Sequence, residues 1–368
     1  MRAALLAVLI VSVTMQPAAA DGFYREDLRI SMAAAETAGL EAMLVRPSGS
    51  GRFPLALISH GAPRDHTARA TMSPYGTYRQ AIEFARRGFA ALVVMRRDYG
   101  DSGGRYAESN GRCANRDYLR SARASAEDLA AAIRAMQDRT DVSTNGMIAV
   151  GSSAGGFASI ALAATAPPGL VAAISFAGGR GSRADDDVCD EAALVRAFAA
   201  LGRTSRIPML WIYAENDKFF RPDLAHRMHA AFTGAGGRAE LIDAPAFGDD
   251  GHTLFSRGIA LWTPMVDRFL QEQNLGTREL AAAPLPAALS PPPRLGEKGR
   301  SAFEAYLAAS PHKAFAVSPT GGFGYRAGQR SAVVAQDAAL AACAKAAADC
   351  AVYAVDEELV ERERAGAR

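Results

Sequence analysis

The sequence predicts an α/β protein: a mostly parallel central sheet with helices on both faces, followed by a small α+β unit. Three observations carry this. Continuous apolar runs at 54–59, 89–95 and 170–176 read as strands buried on both faces, the pattern of parallel sheets. Helical stretches such as 77–87 and 122–138 alternate with them. A proline-rich stretch, 281–299, then stops the pattern, and a shorter set of elements follows it.

Before the first strand lies a leader. Arg2 precedes an apolar run over 3–13, and Ala18-Ala19-Ala20 fits a small-residue cleavage site that leaves Asp21 first. That run is too short to span a bilayer comfortably, and no later stretch has enough uninterrupted apolar residues. Residues 1–20 therefore read as a signal peptide, and the mature protein as periplasmic or secreted without a membrane span. The chain has 368 residues, 49% of them apolar, with a net charge of +2 from 41 basic and 39 acidic side chains. This balance gives no reason to expect a nucleic-acid partner.

Export changes how the cysteines read. The chain has four, Cys113, Cys189, Cys343 and Cys350, and an even count in an oxidising compartment points to disulfides. Cys343 and Cys350 are close in sequence and are the first expected pair. Cys113 and Cys189, both in polar irregular segments, are the second. No Cys/His grouping has the spacing of a zinc site, and neither metal nor cofactor is expected.

In order, strands are expected at 28–31 and 42–45, then at 54–59, ending in His60-Gly61-Ala62-Pro63. The helix at 77–87 stops at Gly88, and the strand at 89–95 runs into Arg96-Arg97-Asp98-Tyr99-Gly100. The helix at 122–138 leads to a strand at 147–150, and a helix begins at 157. A strand at 170–176 is followed by a polar stretch, 180–206, that reads as a cap-like insertion over a site. Further strands at 208–213 and 239–242 alternate with helices at 222–232 and 254–271. The main domain spans 21–280 and the linker 281–299. In the last unit, 300–368, helices are expected at 302–307 and 331–347 and strands at 313–318 and 350–355, with a glycine–aromatic turn or second strand at 321–328.

Chemistry concentrates in Val150-Gly151-Ser152-Ser153-Ala154-Gly155-Gly156. Strand, Gly-x-Ser-x-Gly and helix in succession form a nucleophile elbow, in which Ser153 is exposed on a turn too tight for larger neighbours. The five-residue pattern is common by chance, so the context decides. A serine hydroxyl needs a base, and the base needs a carboxylate, in the chain order Ser, Asp/Glu, His. Asp217, just after a strand, is the expected acid, with Glu215 on the same turn as runner-up and Asp243, Asp249 and Asp250 behind. His252, in the loop after the last strand of the main domain, is the expected base. In open parallel sheets reactive groups gather at the carboxyl ends of the strands, where Ser153, Asp217 and His252 all fall. The oxyanion hole is expected from the N–H of Ala154 and one from the first strand's loop. Pro63 has no N–H, so Ala62 is the expected donor, with Gly61 as alternative. His60 reads as a brace for that loop.

Ser59-His60-Gly61, Arg97-Asp98-Tyr99-Gly100-Asp101-Ser102-Gly103, the elbow, Asp217 and His252 together resemble the α/β-hydrolase superfamily, and within it the dienelactone-hydrolase-like branch, over about residues 30–272. The resemblance implies an α/β-hydrolase fold and hydrolysis. Dienelactone hydrolases proper use a cysteine nucleophile where Ser153 stands, so ordinary carboxylic ester cleavage is implied instead. A His-Gly-Gly-Gly loop, the mark of hormone-sensitive-lipase-like esterases, is absent. The expectation is an exported serine hydrolase acting on a small-molecule ester or short peptide. A prolyl-oligopeptidase-like peptidase also resembles this core, but the stretch before residue 54 cannot hold a propeller. A third reading is a non-catalytic binding protein on a hydrolase scaffold.

Overall fold

Strand residues that point alternately to opposite faces divide the apolar side chains into two cores. In β4 (Phe53–Ser59), Leu55 and Leu57 join one core while Ala56 and Ile58 join the other. The computed structural model describes residues 18–20, 22–277, 279–286 and 288–360. The expected leader lies outside them, except for β1 (Ala18–Ala20), an edge strand.

Next to β1 come β2 (Phe23–Ile30) and β3 (Leu40–Pro47), both antiparallel to their neighbours. From β4 onward the chain alternates: α1 (Tyr78–Arg86), β5 (Ala90–Val94), α2 (Tyr118–Gln137), β6 (Val142–Ser152), α3 (Ala154–Ala164) and β7 (Leu170–Phe176). A small hairpin of β8 (Ser182–Ala184) and β9 (Asp187–Val188) leads into α4 (Glu191–Gly202). Then follow β10 (Pro208–Ala214), α5 (Pro222–Gly234) and β11 (Arg238–Ala244). All join one nine-stranded sheet, ordered β1-β2-β3-β5-β4-β6-β7-β10-β11, apart from the β8–β9 hairpin. From β5 to β11 the neighbours in that order are parallel, as the continuous apolar runs require. This is the α/β-hydrolase fold implied by the resemblance.

Within 180–206 only the β8–β9 hairpin and the turns around it flank the cleft described below. The following helix, α4, crosses over inside the main core: Phe198 packs on Phe157 and Trp211, with ring centroids 5.2 Å apart in each case. The single helix expected at 254–271 is divided into α6 (Leu254–Arg257) and α7 (Ile259–Glu272). Gly258 causes the break, because its backbone, at φ −99° and ψ 37°, leaves helical geometry.

Beyond the linker, α8 (Glu297–Leu307), β12 (Ala314–Val317), β13 (Phe323–Arg326), α9 (Ala332–Cys343), β14 (Ala351–Val355) and β15 (Glu358–Leu359) form the small unit. Its antiparallel sheet, ordered β13-β12-β14-β15, carries α8 on one face and α9 on the other. Both expected disulfides, Cys113–Cys189 and Cys343–Cys350, are formed. The small unit rests on the main one through His312, whose ring lies 4.0 Å from that of Tyr75. Arg330 adds an ion pair to Asp101 at 2.7 Å and a hydrogen bond to the carbonyl of Ala70 at 2.6 Å.

Candidate active site

The turn from β6 to α3 places Ser153 at φ 56°, ψ −123°, a conformation that side-chain-bearing residues adopt only under constraint. The constraint is visible. The Ser153 N–H donates to Phe176 O at 2.8 Å, and its carbonyl accepts from Phe157 and Gly179. Two glycines make the turn possible. A Cβ on Gly151 would run into Gly155 O, and one on Gly155 would run into Ser59 O and His60 O. The strained serine side chain stands at the rim of a cleft of about 560 Å³, lined also by Ala62, Ala154, Phe219 and Phe220.

Asp217 follows β10 and is 2% exposed. Its Oδ1 accepts from the N–H groups of Phe219 and Phe220 at 2.7 and 2.9 Å, which orients the carboxylate. Its Oδ2 lies 3.0 Å from His252 Nδ1. A carboxylate only accepts, so Nδ1 carries the proton and Nε2 is left as the basic nitrogen. The loop that delivers His252 is tied at several points. Asp250 Oδ1 accepts from His252 N and Lys218 N, and Asn216 Oδ1 accepts from Phe247 N. Phe219 stacks on the imidazole at 3.8 Å, and Phe220 meets it edge-on at 5.7 Å. These two rings therefore connect the Asp217–His252 pair to the cleft that holds Ser153. Among the other acids considered, Glu215 is exposed, Asp243 pairs with His226 at 3.1 Å, and Asp250 binds backbone N–H groups of this loop rather than the imidazole.

Both residues expected to supply oxyanion N–H groups line the same cleft, with Ala154 as the first residue of α3. Gly61 packs on Ser153, since a Cβ there would lie 3.2 Å from Ser153 Cβ. His60 braces this loop. Arg96 N–H donates to His60 Nε2 at 3.1 Å, so Nδ1 carries the proton and donates to Gly61 O at 2.6 Å. Burial, and then the neighbouring Arg96 charge, hold the imidazole well below its usual value and keep it neutral. The unfolded chain binds a proton here below about pH 6.5 while the folded chain does not, so acid removes stability. This contribution should amount to about 1 kcal/mol between about pH 7.5 and about pH 5.5. Asp128, whose carboxyl burial pushes up to about 6, works in the opposite sense. The prediction is therefore read as a difference: the unfolding free energy of wild type minus that of His60→Gln, from urea titration, should fall by that amount across this window as pH is lowered, and parallel curves for the two proteins would refute it.

Sequence reasoning did not find the arginines of this cleft. Arg64, Arg69, Arg116, Arg180 and Arg183 line it. Nor did it find Glu108, a buried carboxylate that receives Arg96, Arg180, Ser125 and Tyr99. Burial raises the Glu108 carboxyl, but the Arg180 and Arg96 charges outweigh it and hold the group well below the usual carboxylate range. The available signal was positional: Arg96 and Arg180 each follow the carboxyl end of a sheet strand. A larger open groove, about 900 Å³, lies between the two units beside Arg79, Arg257 and Arg326, and none of the expected site residues lines it.

The model of the X-Pro dipeptidyl-peptidase (S15) family matches residues 36–205, somewhat less than half of the chain. No curated protein matches in sequence. Similar solved structures include a Klebsiella pneumoniae protein assigned as a dienelactone hydrolase, at 14% identity and TM-score 0.49, over 68% of this chain and 98% of that one. A cold-adapted esterase from an Arctic intertidal metagenomic library gives 14% identity and TM-score 0.48, over 72% and 99%. The acylaminoacyl peptidase of Pyrococcus horikoshii gives 12% and 0.47, over 71% of this chain but only 42% of the longer peptidase. The chain's own strand order is that of the α/β-hydrolase fold, and over residues 36–205 its sequence matches the S15 peptidase family model.

Proposed function

We propose that the protein is an exported serine hydrolase that cleaves a carboxylic ester. One observation carries this reading: a buried aspartate holding His252 by Nδ1, beside the cleft in which Ser153 occupies a strained elbow. His252 Nε2 takes the Ser153 proton as Oγ bonds to the ester carbonyl carbon. The N–H groups of Ala154 and Ala62 receive the oxyanion, and Asp217 stabilises the imidazolium. Collapse breaks the bond to the alcohol, which leaves with the proton from His252. Water then gives a proton to His252 and attacks the acyl-serine. The acid departs, and the proton returns to Ser153. Export is supported by the two disulfides, and no helix among the described residues is long and apolar enough to cross a membrane.

The S15 match favours a second reading, an exopeptidase that releases dipeptides. Such an enzyme must receive a protonated amino terminus, for which a carboxylate in the cleft is the natural partner. No aspartate or glutamate is among the residues lining the cleft, and arginines are. The ester reading therefore stands first. Fluorophosphonate labelling followed by peptide mapping tests it: the expected adduct is on Ser153, with faster turnover of a p-nitrophenyl ester than of a Gly-Pro anilide. Folded protein that takes no label would overturn it.

A further inference from the structure

The bond between Asp217 and His252 leaves one degree of freedom open. It fixes where Nδ1 points, but the imidazole can still turn about the N–H direction and swing Nε2 through an arc. A flat neighbour removes that freedom. Phe219 lies on the imidazole with ring centroids 3.8 Å apart and planes 7° apart, and Phe220 meets it at 61°. The Phe219 N–H donates to Asp217 Oδ1, which ties its backbone to the acid. Its side chain is only half-buried and lines the cleft, so the backbone bond alone does not hold the ring flat.

Arg64 supplies the missing hold. Its Cζ sits 3.6 Å from the Phe219 ring centroid. Two planar groups cannot both stack that closely on one face of a ring, so Arg64 and His252 take opposite faces of Phe219. The guanidinium plane is fixed in turn by its donors. Nε donates to Ser182 Oγ at 3.1 Å, and one terminal nitrogen donates to Ser182 Oγ, Ala184 O and Lys218 O at 2.9, 2.8 and 3.2 Å. The other pairs with Asp185 at 2.9 Å, but Asp185 is 58% exposed, so that charge pair contributes little. A fork bonded along its edge and stacked on its face has one orientation. Arg64 thus joins three segments: the loop after β4, which also holds Ala62; the β8–β9 hairpin; and the turn after β10, which holds Asp217.

From this geometry we propose that Arg64 is a positioning residue, which clamps Phe219 flat against His252 and so sets the ring plane of the base. The proposal rests on the reading of His252 as the base for Ser153. Arg64 acts through Phe219 and needs no contact with the substrate.

Arg64→Lys keeps the charge but loses the planar fork and the stacking face. It should lower kcat about tenfold on both p-nitrophenyl acetate and p-nitrophenyl butyrate, with KM within about twofold of wild type. Phe219→Leu, apolar but without a flat face, should lose at least as much. Both side chains are partly exposed, so the fold should survive either change. The double variant should be no slower than Phe219→Leu alone, because the first residue works through the second. Unchanged kcat in Arg64→Lys, a raised KM in place of a lowered kcat, or losses that multiply in the double variant would each overturn the clamp. Proton NMR gives a readout without turnover. The downfield His252 Nδ1–H resonance, identified by its absence from His252→Gln, should broaden through faster exchange in Arg64→Lys and in Phe219→Leu. If it broadens while Ser153 takes no fluorophosphonate, the clamp on the imidazole stands and the hydrolase reading falls. If Ser153 is labelled while resonance and kcat are unchanged in Arg64→Lys, the clamp falls and the hydrolase reading stands.

Discussion

Alanine at position 153 should reduce kcat on a p-nitrophenyl ester by about 10⁴- to 10⁶-fold, with folding and substrate binding retained. The hydroxyl oxygen is the atom that forms the covalent bond in the proposed reaction, and of the two serines at the elbow Ser153, not Ser152, is among the residues lining the cleft. What survives would be the contribution of the N–H groups and the bound geometry alone. Removing the other members should not add to the loss, because a nucleophile and its base act as a unit. The double variant Ser153→Ala, His252→Ala should therefore be about as slow as either single one. Stopped-flow and long-incubation assays checked against catalyst-free hydrolysis measure this. A Ser153→Ala protein within about tenfold of wild type would remove Ser153 from the chemistry.

A single methyl group at position 155 should be nearly as damaging, for a different reason. Gly155→Ala should destabilise the fold by about 3 to 5 kcal/mol, or prevent it from accumulating. The added carbon would overlap the carbonyls of Ser59 and His60, which belong to the end of β4 and the adjoining loop. Those carbonyls cannot yield separately. Ser59 pairs in register with Val94 on one side and Gly151 on the other, and His60 O accepts from the buried Arg96 at 2.8 Å. The control is Gly234→Ala at the end of α5, where a Cβ meets nothing within 4 Å. Alanine there should be neutral or stabilising by up to about 1 kcal/mol. Urea titration of the three proteins separates the outcomes. Equal midpoints for wild type and Gly155→Ala would show that the elbow is not held by close packing.

Much of this was legible along the chain. Strands β4, β5, β7 and β10, and the second half of β6, are runs of apolar residues whose neighbours need no specific partner, so their burial could be read locally. The spacing of Gly151, Ser153 and Gly155 marks a turn whose geometry depends on adjacent residues alone. Asp217 and His252 could be singled out because each lies in the loop after a strand, β10 and β11, and parallel topology brings those loops to one edge. The split between α6 and α7 was hidden, since Gly258 near a helix start is tolerated or disruptive depending on what packs around it. The position of α4 was hidden too: its apolar residues, among them Leu194 and Phe198, could have covered a site or a core.

By itself, then, the sequence determined the sheet, the Gly-x-Ser-x-Gly turn and the cysteine pairs, and it singled out the aspartate and histidine that the structure brings together, because each depends on near neighbours or on the regular α/β alternation. Only the tertiary structure decided the character of the cleft. Arg116 and Arg180 lie apart in the chain and look like ordinary solvated charges until folding buries Arg180 and encloses the Nε of the half-buried Arg116. Their Nε donors then lack partners because burial removes water from whatever it encloses, and which groups it encloses is a property of the whole fold.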